Sequence, residues 1–171
     1  VNKTEKLTPK EFEWMKKHTI YGYEMIKETV GLNHRQALVA LEHHERLDGS
    51  GYPFGIGGEK IDPHARIVAV ADVFHAMISD RGYQGASTFH KALLEMYRGS
   101  FGLLDPMIVR RFIEKTMQSL VGKDVVLTDG SEGTIVMVKP NDPMYPLVKV
   151  GEKYLDLSEI SSVQIERVVL A

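Results

Sequence analysis

Up to about Gly122 the apolar positions return every three or four residues, and beyond it short β-branched runs alternate with Gly, Asp and Pro turns. The chain therefore predicts helices first and strands after. Thr8-Pro9-Lys10-Glu11 joins an N-cap, a proline suited to the first helical position and a capping-box glutamate, so a helix is expected over 9–29, stopping before Gly31. Asn33 to Gln36 repeats the capping logic and opens a helix through Ala37, Leu38, Ala40 and Leu41 that reaches His43 and His44 near its end. Five glycines and Pro53 between Asp48 and Gly58 exclude a helix or strand there. Asp62-Pro63 starts a helix through Ile78, and two more are expected over 87–98 and 105–120. Strands are expected over 124–128, 134–139, 147–150, 154–157 and 163–170, with Pro140, Pro143 and Pro146 stiffening one loop. The expectation is a mainly α fold: a helical domain over 1–120, then a small β subdomain over 121–171, built as a β-barrel or curled sheet.

Composition narrows the chemistry. The chain has 171 residues, 43% hydrophobic and 26% charged, enough for a sizeable core in one domain with a small appendage. A net charge of -2 with the signs mixed argues against DNA and against a polybasic membrane anchor. Zero cysteines exclude disulfides, iron-sulfur clusters, thiolate zinc sites and a thiol nucleophile, so any metal must be held by nitrogen and oxygen. The start is polar, and no stretch approaches the ~18 apolar residues of a membrane span, which gives the expectation of a cytoplasmic protein without membrane insertion. All seven histidines, His18, His34, His43, His44, His64, His75 and His90, fall in the first ninety residues. That crowding is the chemical lead.

Asp72 sits among Ala69, Val70, Ala71, Val73, Phe74 and Ala76, so its carboxylate is expected to be buried. A buried carboxylate needs a cation, a metal or several donors, and Arg66 is the simple partner. His43 and His44 are adjacent, and adjacent helical positions point about 100° apart, so they are expected to serve neighbouring ions, or one as ligand and the other as its support or a substrate contact. His18 stands four residues before Gly22, whose missing side chain admits another backbone or a ligand near the imidazole; a bond to a carbonyl is the plainer reading. His34, His64 and His90 lie at or near predicted helix starts and are expected at the surface.

Residues 43–53 read H-H-E-x-x-D-G-x-G-Y-P through His43, His44, Glu45, Asp48, Gly49, Gly51, Tyr52 and Pro53. This closely resembles the HD-GYP family of metal-dependent phosphohydrolases, a branch of the HD superfamily. The resemblance runs from Lys6-Leu7-Thr8 through His18 and Gly22, then through Arg66 and Asp80 to about Phe112. It implies an HD-superfamily helical domain holding two or three divalent ions, iron or manganese with zinc also acceptable. The implied reaction is hydrolysis of cyclic di-GMP to pGpG or GMP in bacterial second-messenger signalling. On the matching positions His18, His43, His44 and Asp72 become metal ligands, and Gly51, Tyr52 and Pro53 shape a loop over the substrate. Arg81 contacts a substrate phosphate. Asp48 and His75 support the ligands, with His75 as a further ligand or a partner for Asp72. The implied partners are the cyclic dinucleotide and a GGDEF or other signalling protein.

The departures carry expectations of their own. The family is named for a His-Asp dyad followed by lysine, and no His-Asp dipeptide occurs in this sequence. The helical domain is therefore expected to be N-terminally incomplete, to hold one ion rather than a bridged pair, and to be inactive or impaired as it stands. Apolar surface from Phe12, Met15, Ile67 or Val70 would then be exposed and favour a dimer or swapped assembly. Arg81-Gly82-Tyr83-Gln84 stands where the family has Arg-Pro-Tyr and a basic residue, which removes one phosphate-contacting cation. Two rival readings follow: a non-catalytic regulatory module that binds a partner protein or nucleotide, and a metal-dependent phosphohydrolase acting on another nucleotide. Asp156-Leu157-Ser158 resembles half of the D-x-S-x-x-G element of PilZ receptors, but Ser161 replaces its glycine, and a polar hairpin end explains these residues equally well.

Overall fold

Thr8 opens α1 (Pro9–Lys16) as its capping box requires: its hydroxyl accepts the Glu11 N–H, and the Glu11 carboxylate accepts the Thr8 N–H at 2.7 Å. The computed structural model describes residues 7–79, 88–99 and 101–169. The helix expected over 9–29 is two helices, because at Lys17 the ladder tightens and its N–H donates only three residues back, to the Trp14 carbonyl at 3.2 Å. α2 (His18–Glu28) then packs on α3 (His34–Glu42). Gly22 serves that contact, since a Cβ there would lie 3.4 Å from the Ala40 Cβ.

α3 ends earlier than its apolar pattern suggests. His43 is its C-cap, and the Glu42 carboxylate accepts the Asp62 N–H at 2.7 Å. Burial pushes the Glu42 carboxyl up while that N–H draws it down. The bond joins positions twenty residues apart, and Asp62 in turn caps α4 (Pro63–Ile78) through the His64 N–H. α4 buries Ala65, Ala69, Val70 and Phe74. Val70, expected among exposed apolar residues, is thus in the core, whereas Phe12 and Ile67 are exposed. The helix is apolar nearly all round but covered on one side only.

By contacts the chain falls into two units, Val1–Ala86 with Gly99–Ile108, and Ser87–Arg98 with Val109–Ala171. The second contains most of α5 (Phe89–Gly99) and α6 (Pro106–Ser119), which bury Leu93, Met96, Val109, Ile113 and Met117, together with the strands. His90, expected at the surface, is 2% exposed and lies 4.9 Å from the Tyr145 ring. It precedes Leu93 by three residues, so it shares the apolar stripe of α5. Burial lowers its imidazole pKa.

The strands are β1 (Asp124–Leu127), β2 (Glu132–Lys139), β3 (Asp142–Val150), β4 (Lys153–Asp156) and β5 (Ile165–Val168). They form one antiparallel sheet in the order β4-β3-β2-β1-β5. β4 and β5 are its free edges, so of the two expected forms the curled sheet is found and the closed barrel is not. β3 begins before the expected 147 and carries Pro143 and Pro146. Its pairing with β2 slips between Met137↔Leu147 and Lys139↔Asp142, which leaves both prolines out of the regular ladder to which they cannot donate. Gly133 is required in β2, because a Cβ there would come within 2.6 Å of the Lys149 carbonyl. At the end of β4, Asp156 accepts from the Ser158 N–H and hydroxyl, and Lys139, paired to the same carboxylate, holds its pKa down to about 2. A strand-end turn accounts for these residues.

Leu93 is fully buried in the second unit. Leu93→Ala should cost about 2–5 kcal/mol in urea unfolding, and a loss below half of that lower bound would show that this part of the core is not packed as described.

Candidate metal centre

The break at Lys17 places the first histidine of the cluster. His18 begins α2, and its Nδ1 lies 2.8 Å from the Met15 carbonyl. A carbonyl can only accept, so Nδ1 carries a proton, and in the neutral ring Nε2 keeps its lone pair. His43 repeats the arrangement from the end of α3, with Nδ1 at 2.9 Å from the Ala40 carbonyl and 3.2 Å from that of Val39. The two Nε2 atoms face each other at 3.4 Å. Two neutral imidazoles so tethered have no proton to share between those atoms, and a cation placed there satisfies both.

His44 joins them because α3 has already ended. Its ring centroid lies 4.2 Å from that of His43 and 5.0 Å from that of His18, and one ligand atom from each of the three lies within 4.8 Å of the others. The neighbouring histidines, expected to diverge on a continuous helix, therefore converge in the turn that follows it. Burial pulls the His44 imidazole down to about 4, with His43 adding to the effect and Asp72 opposing it. Burial also lowers His43. Both imidazoles are neutral near pH 7, and a donor set of imidazoles and carboxylate would suit iron, manganese or zinc.

The glycine loop closes one side of the cluster. Gly51 lies against the backbone of residues 44–46: a Cβ there would be 2.4 Å from the Glu45 Cα and 2.5 Å from the His44 carbonyl. Only glycine fits. Tyr52 donates its N–H to the His44 carbonyl at 3.2 Å and stacks on the His44 ring at 4.6 Å and 25°. Phe12 meets Tyr52 edge-on, and the Tyr52 hydroxyl reaches the Met15 sulfur at 3.8 Å. Burial pushes the Tyr52 phenol up to about 12, so it stays protonated. Pro53 follows, half-buried, and the Phe54 N–H donates to Glu45 Oε1 at 2.8 Å. Glu45, read in the sequence only as part of the motif, is 2% exposed and is the residue that the spacing did not single out. Its signal was the acidic residue beside the paired histidines.

Asp72 reaches the cluster from α4, its Oδ2 3.7 Å from His44 Nδ1. Its side chain is 37% exposed, not buried as expected, because α4 is covered on one side only. Arg66 is engaged elsewhere, with the Ile61 carbonyl and Asp105. His75 is exposed with its Nε2 3.4 Å from the Ser79 hydroxyl. Asp48 is also exposed, and its carboxylate accepts from the Ser50 N–H and hydroxyl, so it shapes the loop. Arg81 lies outside the described residues.

Comparison with known proteins adds to this geometry. The HD domain family matches residues 1–108. The chain is 49% identical over 108 residues to the cyclic di-GMP phosphodiesterase response regulator RpfG of Xanthomonas campestris, covering 61% of this chain and 28% of that protein. It is 31% identical over 166 residues to the cyclic di-GMP phosphodiesterase PdeB of Borreliella burgdorferi, covering 95% of this chain and 43% of that protein. The chain thus spans less than half the length of these relatives. Among solved structures, Bd1817, an HDGYP protein from Bdellovibrio bacteriovorus, superposes with a TM-score of 0.51 at 19% identity over 63% of this chain and 34% of that one, a likeness of fold.

Two outcomes are expected of the metal-free protein. The folded His44 titrates near 4 and an unfolded histidine near 6.5, so between those values the unfolded state binds more protons. Stability is then complete above pH ~6.5 and falls as pH drops toward 4; urea melts at pH 7 and 5 should show this, and His44→Gln should flatten the dependence. A slope unchanged by His44→Gln would remove His44 as its source. Gly51→Ala should displace the loop and lower stability by about 1–3 kcal/mol through overpacking, read by thermal denaturation.

Proposed function

The chain belongs to the HD domain family, with the His-His and Gly-Tyr-Pro motifs of its HD-GYP branch, and from that premise we propose that it takes part in cyclic di-GMP phosphodiester hydrolysis in bacterial second-messenger signalling. The observation that carries this reading is the facing pair of Nε2 atoms of His18 and His43 at 3.4 Å. His18, His43 and His44, whose ligand atoms lie together, and Asp72 beside His44 would hold a divalent ion, iron or manganese with zinc also suited. Such an ion, when bound, supplies stabilisation of the charge that develops on a phosphodiester and a nucleophile at neutral pH.

The protein's own groups prepare that chemistry. The Met15 and Ala40 carbonyls fix which nitrogens of His18 and His43 bear protons and so aim both Nε2 atoms inward. The Tyr52 ring covers His44 and keeps water from that face, and its phenol, protonated at neutral pH, is a donor and not a base. Gly51, Tyr52 and Pro53 would wall the cyclic dinucleotide, and the Arg81 guanidinium would pair with one of its phosphates. Four ligands suffice for one ion, which supports weak turnover by this chain alone and favours, as a second reading, a regulatory module that binds nucleotide or a partner protein without cleaving it. A different nucleotide substrate is the third. A GGDEF or other signalling partner, a dimeric or swapped assembly, the expected domain boundary near residue 120 and a cytoplasmic location belong to the same proposal. Among the described residues no helix is long and apolar enough to cross a membrane.

The test is metal binding and turnover by the full chain. Titration with Mn²⁺ or Fe²⁺ should give one ion per chain, His43→Ala should weaken binding at least ~10-fold, and chromatography should show slow conversion of cyclic di-GMP to pGpG. Absence of metal binding would sink the reading. Nucleotide binding without cleavage by the metal-loaded protein would establish the second one.

A further inference from the structure

Glu45 is the most deeply buried acidic side chain beside the cluster, and the chemistry above gives it no part. It is 2% exposed. Its Oε1 accepts the Phe54 N–H at 2.8 Å, while Oε2 has no protein partner among the described residues. Burying a carboxyl costs free energy unless hydrogen bonds or a charge partner offset it, and here one bond to the loop does so in part. Around it, Gly51 presses on its Cα and Tyr52 donates to the carbonyl of the preceding residue, His44. Glu45 also lines a cavity of about 10 Å³ with Arg66 and Ala69 of α4. The same side chain therefore lies between the loop that carries Tyr52 and the helix that carries Asp72.

We propose that Glu45 is a positioning residue for the candidate metal centre: its buried carboxyl accepts the Phe54 N–H and so holds the 51–54 loop, with the Tyr52 ring, against His44. The inference rests on the metal reading for its purpose, but the anchoring can be measured without metal. Two neighbouring hydrogen bonds, Tyr52 N–H to the His44 carbonyl and Phe54 N–H to Glu45, fasten the loop from both sides of Pro53. Removing the second leaves the first to hold a loop with three glycines nearby, Gly49, Gly51 and Gly55. What matters is the acceptor oxygen and not the charge. Glu45→Gln keeps an acceptor, whereas Glu45→Met fills the same space without one.

The experiment is amide hydrogen exchange on the full metal-free chain, for the wild type and both variants. The Phe54 amide should be protected in the wild type. In Glu45→Gln the Tyr52 and Phe54 amides should exchange at wild-type rates, and in Glu45→Met about 10-fold faster, with the amides of α4 unchanged. An unprotected Phe54 amide in the wild type, equal rates in all three proteins, or equal acceleration in both variants would each overturn the proposal. If Glu45→Met does not fold, Glu45→Ala, which also lacks the acceptor, takes its place: a faster Phe54 amide is expected, and wild-type rates would overturn the proposal. Co²⁺ titration followed by visible absorption then reads the consequence: binding about 10-fold weaker with a changed spectrum in Glu45→Met, and near wild type in Glu45→Gln. Wild-type affinity and spectrum in a folded Glu45→Met would refute the positioning role while leaving the metal reading intact. A wild-type chain that binds no Co²⁺ would sink the metal reading, and the exchange rates would still decide whether Glu45 anchors the loop.

Discussion

Two imidazole nitrogens, each with its proton already committed to a backbone carbonyl on the far side of the ring, point at one another across 3.4 Å. Neither can donate to the other while both rings are neutral, so the contact is unfavourable until something positive stands in it. Much of the first unit can be understood as what is needed to produce that contact. The helix pair α1–α2 breaks at Lys17 so that His18 starts a new helix beside the Met15 carbonyl, and Gly22 lets α2 lie close enough to α3 for His43 to be reached. α3 stops at Glu42, and the turn after it brings His44 to the same point.

The surroundings of the cluster are unequal. On one side Tyr52 covers the His44 ring and is itself met by Phe12; Lys16 Nζ sits 5.5 Å from the Phe12 centroid and 5.9 Å from that of Tyr52. On the other side Asp72 is more than one-third exposed, and α4 shows solvent the apolar residues Ile67 and Val68. Burial is also what keeps His43 and His44 neutral, because it penalises the imidazolium.

Much of this was legible in the residues. Capping boxes at Thr8 and Asn33 and the Asp62-Pro63 start placed three helices, since these signals are local and depend on few neighbours. The paired histidines and the Gly-Tyr-Pro loop identified the cluster. What was not legible depends on contacts distant in the chain. The end of α3 is set by Glu42 bonding to Asp62, which no local pattern shows. Asp72 looked buried because its helix is apolar on every face, yet exposure is decided by what covers the helix. His90 looked like a surface residue at a helix start, and only its place in the stripe of Leu93 and Met96 could have indicated burial. The prolines of β3 argued for a loop, and an interrupted ladder accommodates them in a strand.

The bond from the Asp62 N–H to Glu42 also has a thermodynamic meaning for the loop it closes. It pins together the two ends of a segment that contains both neighbouring histidines, the buried glutamate and the whole glycine loop. A segment so closed, and tied internally through Gly51, Tyr52 and Phe54, tends to fluctuate as one cooperative opening unit rather than residue by residue. The convergence of the histidines and their aromatic cover are then gained and lost together. Half-assembled forms, with His43 in place and Tyr52 adrift, would be sparsely populated in such a unit.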